Sequence, residues 1–348
     1  LVDLAVSEGI FSSKKEMVRL VERILKDRSL DRALGDLVFW QRQVTRIIVE
    51  REDGIYPFSK GLLARSLEVT GLVPEDAYDT ASAIEGEIMG KRLEEVSHRD
   101  LERMAAELLS ERHGEGYAER YRVWRARKDS DKPLVILICG PSGAGKTTLA
   151  IALANLLDIP RVVATDDIRQ MMRLTLTEEL MPTLHVSTYN AWQKIADSSI
   201  GDDSVIAGYR EQARTVCVGV DAIIDRCIEE NTSVIVDGVH LLPDFLNLSR
   251  YADLAFVVPL CIGLTDHKEY EKRFTRRELK EPSRPMHRYV SYMEEIFKIQ
   301  DHMIECYRSA ELPVIVNVTT DDIVATAAMV VGEELADRAD IRKAVEAM

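Results

Sequence analysis

The feature that most constrains this chain is an apolar run, Leu134 to Cys139, that leads directly into Gly140-Pro-Ser-Gly-Ala-Gly-Lys-Thr-Thr148 and then into the helix-forming stretch Leu149 to Leu157. A strand of six residues with no polar alternation needs cover on both faces, which a central strand of a parallel sheet obtains from crossover helices. The glycines at 140, 143 and 145 let successive backbone N–H groups curl toward one point, and the next helix aims its positive end there. Strand, G-x-x-x-x-G-K-T and helix in that order make a cradle for phosphate.

Further apolar runs at 161–165, 233–237, 254–260 and 313–316 alternate with helical patterns. The predicted fold from 128 to 348 is therefore α/β, a P-loop NTPase parallel sheet flanked by helices. Ahead of it, Val44 to Glu50 is β-rich, Asp53-Gly54 is a tight-turn pair, and Ile55 to Phe58 forms a short second strand that Pro57 confines to an edge. Helical patterns follow at 60–70, 75–91, 98–112 and 115–127. Residues 44–127 thus form a mostly helical domain with a short hairpin, and 1–43 a helical extension whose run from Lys14 is capped by Ser12-Ser13. The polar stretch Arg125 to Pro133 reads as the interdomain linker.

The cradle predicts bound ATP and Mg²⁺. Gly140, Ser142, Gly143, Ala144, Gly145, Lys146, Thr147 and Thr148 surround the triphosphate, with Lys146 across the β- and γ-phosphates and the Thr147 hydroxyl on the metal. A second metal-side carboxylate is expected at the end of a neighbouring strand, where Ser233-Val-Ile-Val-Asp237 supplies Asp237. Asp166 and Asp167 follow the strand Arg161 to Thr165. Asp166 is the preferred base, one strand over from the cradle; Asp167 is the alternative, or else a cap for the helix from Ile168.

A net charge of −14 and a pI near 5.1 give no global attraction for nucleic acid or an anionic membrane. An anionic substrate then needs a local basic cluster. Arg169 and Arg173 lie four apart on one helix face, and Lys268, Lys272, Arg273, Arg276, Arg277 and Lys280, continued by Arg284 and Arg288, suit a lid that screens phosphate charge. Arg273 and Arg277 are its catalytic candidates. His185 lies in a polar insertion and His240 at a strand's carboxyl end, and both are candidates for substrate contact. The five cysteines contain no C-x-x-C pair and no apolar stretch reaches membrane-span length, which points to a cytoplasmic protein with reduced thiols. The chain opens on Leu1 rather than Met, so its natural start is expected upstream.

Several runs in order carry a resemblance: Pro141 to Thr148, Ala164-Thr-Asp-Asp-Ile-Arg169, Leu180-Met-Pro-Thr-Leu-His185, Val205-Ile-Ala-Gly-Tyr-Arg-Glu-Gln212, Val236-Asp-Gly-Val-His240 and Arg284-Pro-Met-His-Arg-Tyr289. With Pro57 to Leu67 they resemble the 2-phosphoglycerate kinase family over roughly 46 to 330. The resemblance implies transfer of the ATP γ-phosphate to 2-phosphoglycerate, giving 2,3-diphosphoglycerate on the way to its cyclic form. It also implies that the N-terminal half is an ATP-cone-like domain that binds a regulatory nucleotide, with Arg46 to Lys60 and Ala118 to Trp124 as the matching segments. Glu often stands in that family where this chain has Asp237, and residues 1–43 fall outside the pattern. A product with adjacent phosphates needs several cations besides the cradle lysine, and Arg169, Arg173, Arg210, Arg284 and Arg288 supply them.

Two other readings stay open. One is a kinase for a different phosphorylated or polyol acceptor; the other is an ATP-gated regulatory protein, since residues 1–26 resemble the helical part of a ribbon-helix-helix DNA-binding domain. The acidic balance argues against a nucleic-acid partner. A homo-oligomer is left open.

Overall fold

The computed structural model describes residues 47–51, 54–195, 204–264, 291–316 and 322–347. These gather into two compact units, one reaching to Lys60 and including Ser82–Met104, the other made of Gly61–Ala81 and Ala105–Met348. The extension 1–43, Arg46, Asp53 and the whole basic segment 265–290 lie outside the described residues.

In the first unit, β1 (Ile48–Arg51) pairs antiparallel with β2 (Gly54–Pro57) and parallel with β3 (Glu95–Ser97). The expected hairpin is there, and β2 is the edge strand that Pro57 requires. The third strand is not foreseen, because three residues ahead of a helix carry too little pattern to read. Helices α1 (Lys60–Glu68), α2 (Pro74–Gly90), α3 (His98–His113) and α4 (Glu115–Lys128) fall on the predicted stretches within a few residues.

The second unit holds a five-stranded parallel sheet of β4 (Leu134–Cys139), β5 (Arg161–Ala164), β6 (Val234–Gly238), β7 (Phe256–Gly263) and β8 (Val314–Val316), in the order β5-β6-β4-β7-β8. Besides α4, which belongs to this unit, its helices include α5 (Lys146–Leu157), α6 (Thr165–Thr175), α7 (Ser204–Glu229), the short α8 (Leu248–Tyr251), α9 (Met293–Ser309), α10 (Ile323–Ala336) and α11 (Ala339–Glu346). All six β4 residues are buried, and they divide by parity. Val135, Leu137 and Cys139 join the core against α7 and α9, with Val216, Val220, Met303 and Tyr307. Leu134, Ile136 and Ile138 join the opposite core against α5 and α10, with Leu149, Leu153 and Val331. This explains the unbroken apolar text of β4.

Two expectations need correcting. β5 follows β4 in sequence, but β6 lies between them in the sheet, so Asp166 leaves a strand two places from the cradle strand. The polar stretch 125–133 is no free linker. Val123, Trp124 and Ala126 of α4 are buried in the core beside α5 and α10, Arg127 Nη2 donates to Ser233 Oγ at 2.9 Å, and Lys132 pairs with Asp340. Arg127 is itself drawn partly out of solvent, and that desolvation lowers its pKa, so the stretch closes a helix whose other face is interior.

Candidate active site

Strand order places the switch point at the carboxyl end of β4, where connections leave in opposite directions and α/β proteins bind ligands. The loop Gly140 to Thr148 sits there. Gly145 caps α5 at φ 94°, a left-handed conformation that suits glycine, and α5 begins at Lys146. Lys146 is 9% exposed, and its Nζ donates to Pro141 O at 2.8 Å, so the ammonium lies folded over the loop. Ala144 is buried beneath it, whereas Thr147 and Thr148 are exposed.

The register aligns the strand-end acid Asp237 with the loop. Asp237 pairs with Ile138 across β4–β6 and with Ala164 across β5–β6, so it lies level with the ends of both neighbours. Thr147 Oγ1 donates to Asp237 Oδ2 at 2.9 Å, while Oδ1 is buried with no hydrogen-bond partner. Burial raises the Asp237 pKa; the Thr147 hydrogen bond and Lys146 lower it, Asp166 and Asp167 add repulsion, and the net shift is upward. An orphaned carboxylate oxygen beside a hydroxyl is a donor set that suits a hard divalent cation.

Strand β5 stops at Ala164 and α6 starts at Thr165, so Asp166 and Asp167 stand inside the helix's first turn, where the helix dipole favours acids. The Asp166 side chain is 66% exposed. Desolvation raises its pKa; His240, Arg169 and Lys146 lower it, and the net shift is downward, leaving a carboxylate that is ionised at neutral pH. Loop lysine, Asp237 and Asp166 therefore share one carboxyl edge of the sheet.

The other expected residues, where described, have partners of their own within the protein. Arg169 pairs with Asp166 at 3.3 Å, but its Nη1 donates to Leu184 O at 3.0 Å and Val186 O at 2.8 Å, so it clamps the following segment. Arg173 bonds Gln170 at 3.1 Å, and its Nε is buried with no hydrogen-bond partner. His185 Nε2 bonds the carbonyl oxygen of Leu176 at 2.8 Å. Arg210 pairs with Asp244 at 2.7 Å and lies 4.9 Å above the Phe245 ring. His240 is wholly buried, with Nδ1 on Thr165 Oγ1 at 2.7 Å and Nε2 on Gln212 Oε1 at 3.1 Å. A ring with both nitrogens occupied inside the protein presents no edge to a ligand, which corrects its expected substrate contact. Arg273, Arg277, Arg284 and Arg288 fall outside the described residues.

Sequence reasoning missed Thr165, Thr188, Gln212 and Gly238. A Cβ on Gly238 would fall 1.6 Å from Thr165 Oγ1, so only glycine lets α6 start this close to β6. Beside the loop, Pro141, Ser142, Thr188, Tyr189, Val239 and Ile296 line a narrow cleft. The turns Pro182–His185 and Thr188–Lys194 thus bring one wall of the site to the cradle.

Glycine loop, loop lysine, Thr147–Asp237 pair and parallel sheet define a P-loop kinase, an ATP-dependent phosphotransferase. Residues 135–298 match the AAA domain family. A protein named 2-phosphoglycerate kinase from Methanococcus maripaludis strain C5 is 33% identical over 305 residues, covering 86% of this chain and 96% of that one. Proteins of the same name from Methanopyrus kandleri, at 36% over 80% of this chain and 85% of that one, and from Pyrococcus furiosus, at 34% over 80% and 91%, agree with it. The chain belongs to the 2-phosphoglycerate kinase family. Among solved structures, a shikimate kinase from Acinetobacter baumannii in complex with shikimate aligns over 58% of this chain and 93% of that one, at 16% identity and a TM-score of 0.33, too loose a likeness to argue from.

Proposed function

We propose that this enzyme transfers the γ-phosphate of ATP to the free hydroxyl of 2-phosphoglycerate, giving 2,3-diphosphoglycerate and ADP. The observation that carries the reading is the placement of Asp166, ionised and open to solvent, within the field of Lys146 at the same sheet edge. In the transfer, the acceptor's C3 hydroxyl oxygen bonds to the γ-phosphorus as the bond to the β-phosphate's bridging oxygen breaks. The hydroxyl proton passes to the Asp166 carboxylate, and the electron pair leaves with ADP. Asp166 orients the hydroxyl, and its low pKa suits a reaction in which the proton leaves late. Asp167, its neighbour in the same turn, is the alternative base. The loop N–H groups from Gly143 to Thr148 and Lys146 hold the leaving phosphates.

Thr147 and Asp237 would hold Mg²⁺, directly or through its waters. When bound, the ion neutralises charge between the β- and γ-phosphates. Arg173, whose buried Nε lacks a partner, suits the acceptor's phosphate or carboxylate, and the basic segment with Arg273, Arg277, Arg284 and Arg288 supplies further cations. The hairpin of β1 and β2, with Lys60 paired to Glu85 at 3.0 Å, is the candidate seat of a regulatory nucleotide. Five unpaired thiols suit a reducing cytoplasm.

The test is a coupled ADP-release assay with 2-phosphoglycerate, 3-phosphoglycerate, glycerate and a panel of sugar phosphates and polyols. Saturable turnover that prefers 2-phosphoglycerate is expected. A preference for an unphosphorylated polyol would overturn the assignment.

A further inference from the structure

A chain of buried hydrogen bonds links the start of α6 to the Pro182–Lys194 wall, and its proton positions follow from chemistry. Gln212 Nε2 faces two carbonyl oxygens, Thr183 O and, at 3.2 Å, Val186 O. Carbonyls only accept, so that atom is the amide nitrogen and Gln212 Oε1 is an acceptor. It receives the Thr188 hydroxyl at 2.8 Å and His240 Nε2 at 3.1 Å, so the imidazole proton sits on Nε2. His240 Nδ1 is then bare and accepts the Thr165 hydroxyl at 2.7 Å. Thr165, Gln212 and His240 are fully buried, out of reach of bulk solvent.

We propose that Thr165, His240 and Gln212 are positioning residues, a relay that fixes the Asp166 turn relative to the wall carrying Thr183, Val186 and Thr188. This rests on the reading above that Asp166 meets the acceptor hydroxyl. Thr165 is the first residue of α6, Asp166 the second, and the absence of a side chain at Gly238 allows the contact. Thr188 lies at the other end of the relay and lines the cleft beside Pro141 and Ser142. The relay's hydrogen bonds named above run from α6 to the Pro182–Lys194 wall, so its loss should disturb acceptor alignment far more than nucleotide affinity. Misplacement of a reacting group by about an ångström costs on the order of 100-fold in rate.

Thr165→Val keeps the branched shape and removes only the hydroxyl. We expect kcat to fall roughly tenfold or more and acceptor KM to rise, with the Kd for a fluorescent ADP analogue within about twofold of wild type and Thr165→Ser recovering most of the loss. Gln212→Met tests the other end, and the double variant should lose little beyond the worse single one, as for groups acting as a unit. Wild-type kcat in Thr165→Val, no rescue by serine, or nucleotide affinity falling in step with kcat would overturn the relay. Should Thr165→Val fail to fold, Gln212→Met carries the same kcat and Kd criteria. A readout without acceptor separates this proposal from the substrate assignment: ¹⁵N signals of the wild-type ring should show a protonated Nε2 and a bare Nδ1. The opposite tautomer sinks the relay whatever the acceptor; correct signals with no turnover on 2-phosphoglycerate would sink the assignment alone.

Discussion

Thr147 Oγ1 donates to Asp237 Oδ2 at 2.9 Å, joining the first turn of α5 to the end of β6. The other Asp237 oxygen is buried and unpartnered, and burial holds the carboxyl above its usual range. The charged form is therefore costly until a cation arrives.

Asp237→Asn removes that charge and should leave the metal-free protein at least as heat-stable as wild type. The same change should abolish the additional thermal shift that Mg²⁺·ADP gives over ADP alone. Differential scanning fluorimetry with and without Mg²⁺ reads both effects; an undiminished magnesium increment would remove Asp237 from the metal site.

Lys146→Ala and Asp166→Asn should both reduce turnover by at least about 100-fold, on the usual scale for oriented charged groups. They differ in binding. Lys146→Ala should weaken ATP binding, and Asp166→Asn should leave it within a few-fold, as isothermal titration would show. Because the Asp166 pKa lies below the ordinary carboxylate value of 3.8, kcat should stay flat from pH 8 down to about 5 as far as this group is concerned.

Gly238→Ala forces a methyl to within 1.6 Å of Thr165 Oγ1. Destabilisation at or above the top of the roughly 1–3 kcal/mol range for overpacking is expected in urea unfolding, with Thr165→Gly in the same chain restoring part of it. A Gly238→Ala protein as stable as wild type would mean that α6 can start elsewhere.

Legibility followed the strength of local pattern. The β4 run and its glycine loop were readable because burial on both faces and a phosphate-wrapping turn each demand particular residues in sequence. The order β5-β6-β4 was not, since β5 and β6 are similar apolar runs and nothing local says which one abuts β4. Asp237 was legible as a strand-end acid, whereas the role of His240 was not. A histidine at that position reads alike whether it faces a ligand or, as here, Thr165 and Gln212, whose contacts span 75 and 28 residues of chain. Arg169 shows the same limit: a guanidinium on a helix face does not announce that carbonyls at Leu184 and Val186 will also engage it.

Burial pushes His240 down to about 3 from a usual 6.5. Between those values the unfolded chain binds the extra proton, so stability is fully present above about pH 6.5 and is lost as the pH falls toward 3. The slope from this group is at most about 1.4 kcal/mol per pH unit. Urea midpoints from pH 7.5 to 4.5 should show it, and His240→Asn should flatten it while lowering the plateau. A His240 NMR signal that titrates near neutrality would contradict this.

The helix Glu115–Lys128 bears on how such a protein can be cut or recombined. Its Trp124 belongs to the same interior as Ile136, so severing the chain just ahead of β4 would tear a side wall from the catalytic body rather than detach a neighbour. A segment exchanged between relatives that begins at β4 would therefore have to bring Val123, Trp124 and Ala126 with it.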